Sequence, residues 1–534
     1  MLYTAVMFTR CVALMVVVAA APVGAQTMCE QVRALTEDPT VAAAHWGVAV
    51  ASLDGTVLCG VDEGKLFRPA SNDKIFTTAT ALALLGADKT VETKVTGKLD
   101  AATGVVSGDL KLVGGGDGNL DSGDLPYVPA SQRPKTPVPF AFHDLEELAA
   151  QLVAKGVKTV SGDIVGDDTY FPYEPYPPSW NGDDFVWGYG APVSALTIAD
   201  NQMRLTVTPG GRAATPASVE LEENGVDYYT VQAEVMTIPA KQAGGVQVER
   251  LPGSRTIRVY GSITTDAPPD VEQVAISDPA LYAALAFRNI LLAHGIAVKG
   301  AAVARHRPDR EGRGFTAQLL AQGGQEQAVV SGGTLGGSCP GVAWDSNVSN
   351  PMLTLATHVS AALAEDVKLT NKVSQNLHAE LMLHRLGYAG FCGSGSNVAG
   401  ARMVRAELLR AGVQPNDFML LDGSGLSDHD LVAPRAIAKF LGFAATQPWF
   451  AEFKASLPDS GVGGTLGARF KGSLAGTVWA KTGTLGESRA LSGYVTTVGG
   501  KTLVFSVMVD NHLPGTTADR VVMDKIVETI AGGN

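Results

Sequence analysis

The chain has 534 residues, 46% hydrophobic and 18% charged, so it is globular and long enough for two or three domains. Its net charge is −12 and it carries no basic run. That balance argues against nucleic acid or an anionic membrane surface as the main partner.

Residues 1–25 read as a cleaved secretory signal. Arg10 is the one charged side chain there, residues 11–21 are apolar, and Val23-Gly24-Ala25 is a small-residue cleavage site. The apolar run is short for a spanning helix, and no later run is long enough. A mature protein starting near Gln26 is expected, periplasmic or secreted, without an integral membrane segment. Cys29, Cys59, Cys339 and Cys392 then remain. An even number in an oxidising compartment permits two disulfides in three connectivities. The pairs Cys29–Cys59 and Cys339–Cys392 are favoured over free thiols. The spacing fits neither zinc nor a redox motif.

Residues 27–37 look helical. Residues 46–61 alternate around Asp54-Gly55, a hairpin signal. Next comes Arg68-Pro69-Ala70-Ser71-Asn72-Asp73-Lys74. Pro69 biases Arg68 away from helix, which places a helix start near Ser71. Ile75, Ala79, Leu82 and Leu85 then recur at helical spacing before Gly86. Short strands are expected at 90–99 and 108–113. Gly114-Gly115-Gly116-Asp117-Gly118 reads as a turn, because it lacks the phosphate-loop Lys-Ser/Thr.

Residues 121–140 and 172–190 are Pro-rich loops. A helix at 144–155 is closed by Gly156 and followed by a strand at 159–165. Strands resume at 195–208 and run to about 264. Asp278 as cap, Pro279 in the first turn and Gly295 at the end frame another helix, followed by a strand at 296–303. These two helix–Gly–strand units resemble each other faintly, as in an internal duplication. Residues 304–350 are polar and Gly-rich, and helices dominate 351–445. Two strands flank Gly499-Gly500, and a helix at 516–531 closes the described pattern. The simplest architecture is one mixed α/β (α+β) domain built from 26–91 and 331–534. A strand-rich region, 92–330, is inserted into it and is expected to form two subdomains.

Three elements carry chemistry. Ser71 and Lys74 sit three apart at a helix start, on one face. Ser374-Gln375-Asn376 lies among helical segments. Lys481-Thr482-Gly483-Thr484 precedes the last hairpin. A serine hydroxyl is a weak nucleophile unassisted, and a lysine of lowered pKa can take its proton. Ser374 can pass a proton to the leaving amine. Asn376 can orient Lys74 and the substrate backbone. Lys481 can bind a substrate carboxylate and, by like-charge repulsion, keep Lys74 neutral. Thr482 and Thr484 hydroxyls can bind the same carboxylate, and Gly483 allows close backbone approach. The N–H groups of Ser71 and Thr484 can form an oxyanion hole. Taken singly, each motif reads as a helix cap or a hairpin residue. In this order they are the set of β-lactamases and penicillin-binding proteins.

The chain resembles the low-molecular-mass class C penicillin-binding proteins, the D-alanyl-D-alanine carboxypeptidase/endopeptidase family. The likeness also covers residues 114–120, Gly166-Asp167-Asp168-Thr169-Tyr170-Phe171, residues 190–196, Asp422-Gly423-Ser424-Gly425-Leu426-Ser427 and 464–466. The long separation of Ser71 from Ser374 matches the large insertions of that family. The resemblance implies a serine β-lactamase/transpeptidase-like fold: an antiparallel sheet flanked by helices, plus a helical subdomain. It implies an exported serine D-Ala-D-Ala carboxypeptidase acting on peptidoglycan stem peptides through an acyl-Ser71 intermediate. Endopeptidase activity is left open, β-lactams are covalent inhibitors, and no cofactor or metal is involved. It also places Asp168 near the substrate side chain, where it could hold the ammonium of a diamino acid or simply cap a turn. Gln375 stands where the family commonly has Asp. A β-lactamase or esterase of the same fold, and a non-catalytic wall-binding scaffold, are the alternatives. Asp422-Gly423-Ser424-Gly425 lacks a full calcium-ligand series. His378, Glu380 and His384 share a helix without metal-ligand spacing, and are expected to be structural.

Overall fold

Two distant parts of the chain build one sheet. In the computed structural model, which describes residues 26–123, 125–133, 141–222, 224–308, 353–391 and 394–533, its five strands run in the order Val57–Val61, His45–Ser52, Thr502–Asp510, Ser488–Thr496, Val478–Leu485. Every neighbouring pair is antiparallel. Both faces are covered, so the strands alternate large against small rather than apolar against polar. Val48 and Val50 enter a core with Val522, Ile526 and Ile530 of the Ala518–Gly532 helix. Ala49 and Ala51 turn the other way, toward Phe440 and Leu441 of the Pro434–Ala444 helix. Gly47 sits on that crowded side, where a Cβ would lie 2.4 Å from the Phe67 ring. Cys29 and Cys59 are bridged, which ties the Met28–Thr36 helix to the edge strand. Cys339, Cys392 and the signal segment lie outside the described residues.

The Ser71 helix starts differently from expectation. Residues Ala70–Asp73 form one 3-10 turn, and the α-helix runs Lys74–Leu85. Ala70 is held at φ +45°, a left-handed conformation that an alanine adopts only under tertiary constraint. Ile75, Phe76, Ala79 and Leu82 then pack against Leu383, Leu386 and Phe440. Leu363–Val373 and Asn376–Gly390 are separated by Ser374 and Gln375.

The insertion has its own core. Its larger sheet has the order Ala302–Arg307, Ile164–Pro172, Leu110–Val113, Glu92–Gly97, Leu353–Val359. The last strand pairs antiparallel with Glu92–Gly97, and the next element in the chain is the Leu363–Val373 helix. The two helix–Gly–strand units lie side by side. Ala297–Val298 runs parallel to Thr159–Val160, and Ala302–Arg307 parallel to Ile164–Pro172. The second unit's helix, Pro279–Ala293, has the expected frame, with Asp278 accepting from Leu281 N at 3.0 Å and Gly295 at φ +79°. The strand expected at 195–208 is shorter, Gln202–Thr208. Ala199, Asp200 and Asn201 are all left-handed, held there by Asn201, whose side chain bonds Ile198 N and Pro192 O.

A buried ion pair fastens the insertion to the helical region. His378 meets Asp366 through Nδ1 at 2.7 Å and Asp200 of the insertion through Nε2 at 3.0 Å. Trp180 and Asn181 reach across as well, donating to Asp422 and Asp428. Among the described residues, no helix is long and apolar enough to cross a membrane.

Candidate active site

The 3-10 turn lifts Ser71 to the head of its helix and puts Lys74 beside it. Lys74 Nζ lies 2.9 Å from Ser71 Oγ and donates to Asn376 Oδ1 at 2.6 Å and to the Ser424 carbonyl at 2.7 Å. Lys74 is fully buried. Burial lowers its pKa to about 8, against the pull of Asp422, Glu380 and Asp73. An amine so placed is neutral in part at physiological pH and can take a hydroxyl proton.

Ser374 is the junction between two helices, at φ +65° and ψ +40°. A serine rarely adopts that left-handed conformation, and such strain gathers where a side chain must be aimed. Its Oγ accepts from Lys481 Nζ at 2.8 Å. Gln375 caps the next helix, accepting from Leu377 N at 3.3 Å, so the Asp-to-Gln departure falls on a capping residue. Asn376 donates its amide to the Tyr189 carbonyl at 2.9 Å, which links the insertion to the site.

The third element lies on the edge strand Val478–Leu485. Lys481 is completely buried; burial and then the Lys74 charge lower its pKa well below the usual lysine range. Like-charge repulsion was expected to act on Lys74. Burial is the larger cause at both amines, and the repulsion between them adds to it. Thr482 Oγ1 meets Thr465 Oγ1 at 2.7 Å, and Thr484 is exposed. A Cβ on Gly483 would stand 2.7 Å from the Pro69 carbonyl, so the strand lies directly against the nucleophile turn. A cavity of about 570 Å³ opens beside Ser374 and Asn376, walled by Trp187, Tyr189, Gln202 and Gln273 of the insertion.

Asp168 stands in a different group. Its carboxylate is 2.9 Å from His306 Nδ1 and accepts from Ser194 Oγ at 3.1 Å. Burial raises its pKa and His306 opposes that. His306 also faces Asp278 at 3.6 Å and is held near pKa 10, the two carboxylates overcoming burial. His378 and His384 are both buried, and neither pairs with the other. His384 Nδ1 donates to the Gly395 carbonyl at 2.7 Å, and burial lowers its pKa to about 4.

Sequence reading gives no site role to the carboxyl groups behind Lys74: Asp73 and Asp430 draw no notice, Glu380 is expected to be structural, and Asp422 enters only with its stretch of family likeness. Asp73 lies inside the Ser71–Lys74 motif, and Glu380, Asp422 and Asp430 close in from a helix and a loop. The signal was present in part, since Asp422 falls in a stretch that carries the family likeness, and Ser424 there holds Lys74 by its carbonyl.

A serine–lysine pair at a helix head, facing a Ser-x-Asn junction and an edge-strand lysine across an antiparallel sheet, is the arrangement of a penicillin-recognising serine peptidase. The comparisons agree. The chain matches the D-Ala-D-Ala carboxypeptidase 3 (S13) family over residues 28–322 and 330–532, and it belongs to that family. It is a low-molecular-mass class C penicillin-binding protein and a serine-type D-Ala-D-Ala carboxypeptidase. It is 33% identical over 496 residues to a D-alanyl-D-alanine carboxypeptidase of an Actinomadura species, covering 90% of this chain and 81% of that one. It is 23% identical over 455 residues to the D-alanyl-D-alanine carboxypeptidase DacB of Haemophilus influenzae, covering 84% and 81%. The crystal structure of penicillin-binding protein 4 (dacB) from Haemophilus influenzae superimposes with a TM-score of 0.73 at 20% identity, over 93% of this chain and 98% of that one. That likeness shows the shared fold.

Proposed function

We propose that Ser71 is the nucleophile and Lys74 its general base in cleaving the terminal D-Ala of peptidoglycan stem peptides. The observation that carries this is the Lys74 Nζ–Ser71 Oγ contact at 2.9 Å, with the amine held from behind by Asn376 and Ser424. Ser71 Oγ bonds to the scissile carbonyl carbon as its proton passes to Lys74 Nζ. The oxyanion is met by the backbone N–H groups of Ser71 and Thr484. Collapse breaks the C–N bond, and the Lys74 ammonium returns its proton to the departing D-Ala amine by way of Ser374 Oγ, which leaves Lys74 neutral again. Water then attacks the acyl-Ser71 ester, with Lys74 again accepting the proton, and frees the shortened peptide. Lys481, Thr482 and Thr484 receive the terminal carboxylate, while Gly483 gives the backbone room. Asn376 orients both Lys74 and the peptide.

The insertion wall at Trp187 and Tyr189 takes part in binding the stem peptide. We assign the catalytic unit to residues 26–91 and the chain from about 360 onward, with the insertion between. Asp168, already engaged by His306, supports the Ala302–Arg307 strand rather than a substrate ammonium. The enzyme works in the periplasm or outside the cell, and β-lactams acylate Ser71 because their strained amide imitates the peptide. Cleavage of peptide cross-links is the same chemistry with a longer leaving group.

A labelled-penicillin gel on wild type and Ser71→Ala tests the nucleophile. Loss of the label in the variant is expected, and a label that persists removes Ser71 from the role. Turnover of a D-Ala-D-Ala peptide, compared with release of penicilloate, separates the peptidase from a β-lactamase.

A further inference from the structure

Behind Lys74 lies a layer of titratable groups that the reaction above leaves unused. Asp73, Asp422 and Asp430 are buried, with carboxyl oxygens within 4.8 Å of one another. Glu380 joins them, taking the Gly423 N–H on both oxygens at 3.1 Å. Asp422, Glu380 and Asp73 therefore face the Lys74 amine, with Asp430 behind them against Asp422 and Asp73 and with Lys481 as the second amine coupled to Lys74. Several carboxylates shut away from water cost several kcal/mol each, and proteins relieve that by retaining protons.

The hydrogen bonds tell which groups are which. Asp422 accepts from the N–H groups of Ser424, Gly425 and Ser427 and from the Trp180 indole. Neither oxygen of Asp73 has an N–H or hydroxyl donor, and Asp430 Oδ2 has none either. Asp73 faces Asp430, and Asp430 faces Asp422 as well, and two carboxyls bond only when one holds a proton. Burial pushes all three of the remaining acids up, Glu380 to about 8 and Asp73 and Asp430 well above the usual carboxylate range.

We propose that Asp73, Glu380 and Asp430 are positioning residues that form a proton store behind Ser71, keeping their protons so that Lys74 can give up its own. The physical reason is that each carboxylate formed beside Lys74 favours the ammonium over the neutral amine. The proposal rests on Lys74 being the base, as assigned above. It adds that the basicity of Lys74 is set from behind, by acids on three separate parts of the chain.

The test is the pH dependence of acylation by labelled penicillin, with Lys74→Arg run beside the store variants. Arginine stays charged, so acylation that survives in Lys74→Arg overturns the base assignment and the store with it. With the base upheld, Glu380→Gln and Asp73→Asn replace one neutral group by another, so the acid limb of acylation should stay where it is in wild type. Asp422→Asn, at the carboxylate that takes four donors, should instead move the limb down by about one pH unit, roughly tenfold in rate at a fixed acid pH. A downward shift of that size in Glu380→Gln or Asp73→Asn shows an ionised group there and overturns the store while leaving the base in place. The infrared spectrum of the unaltered enzyme needs no variant to fold. The carbonyl stretch of protonated carboxylic acids should be present at neutral pH, and a spectrum of ionised carboxylates alone overturns the proposal.

Discussion

Replacing His378 with glutamine should loosen the attachment of the insertion to the helical region. In wild type, burial works to lower the His378 pKa, and Asp366 and Asp200 overcome it, raising it to about 10. The distance from 6.5 corresponds to on the order of 5 kcal/mol of coupling. Glutamine removes the cation and leaves Asp366 and Asp200 buried together. Breaking one partner from such a pair costs about 3–5 kcal/mol, which agrees in size. A histidine with a raised folded pKa contributes fully below its unfolded pKa of 6.5, and that contribution fades as pH climbs through about 10. Urea unfolding followed by tryptophan fluorescence reads this out. The protein has several cores, so transition midpoints are compared rather than a single unfolding energy. At pH 6 the variant should unfold at clearly lower urea than wild type, and the gap should narrow toward pH 10. Asp200→Asn in the same chain should recover part of the loss. A midpoint unchanged at pH 6, or a gap that widens with pH, would refute the reasoning.

Three further outcomes follow from single contacts. Lys481→Ala should weaken cleavage of peptides ending in a free carboxylate far more than of amidated ones, read as kcat/KM for matched pairs; equal losses contradict the carboxylate role. Gly483→Ala should drive a Cβ to 2.7 Å from the Pro69 carbonyl, costing about 1–3 kcal/mol by overpacking and slowing penicillin acylation severely; stability and acylation rates together check it, and wild-type acylation would sink it. Cys29→Ser opens the bridge to Cys59, a separation of 30 residues, and should lower stability by about 3 kcal/mol while Ser71 labelling in the folded fraction persists; thermal unfolding with and without reductant measures it.

Much of the fold was legible because the signals are local. Hairpins announced themselves at Asp54-Gly55 and Gly499-Gly500, where Gly55 and Gly500 take φ of +89° and +80°. The Asp278-Pro279 frame gave a helix within a residue of its bounds. The Ser71 helix was placed correctly but its first turn was not. Ala70 takes its left-handed conformation from packing by the Gly425 loop and the Gly483 strand, which have no trace in residues 68–74. Ser374 is left-handed for the same kind of reason.

Residue order alone carried the three motifs, the family likeness and the Cys29–Cys59 pair, since each depends on residue types at short spacing. Everything that turns those residues into a site came from folding. Lys74 and Asn376 are 302 positions apart yet 2.6 Å apart in space. Asp73, Glu380 and Asp422, from three stretches, were ordinary until they met around one amine, and Asp168 acquired His306 as its partner from a strand 138 positions away. The cost of closing a loop rises only with the logarithm of its length, so separation along the chain says almost nothing about separation in space. Proton affinity follows from that second distance and from exclusion of water, and neither is written at any one position.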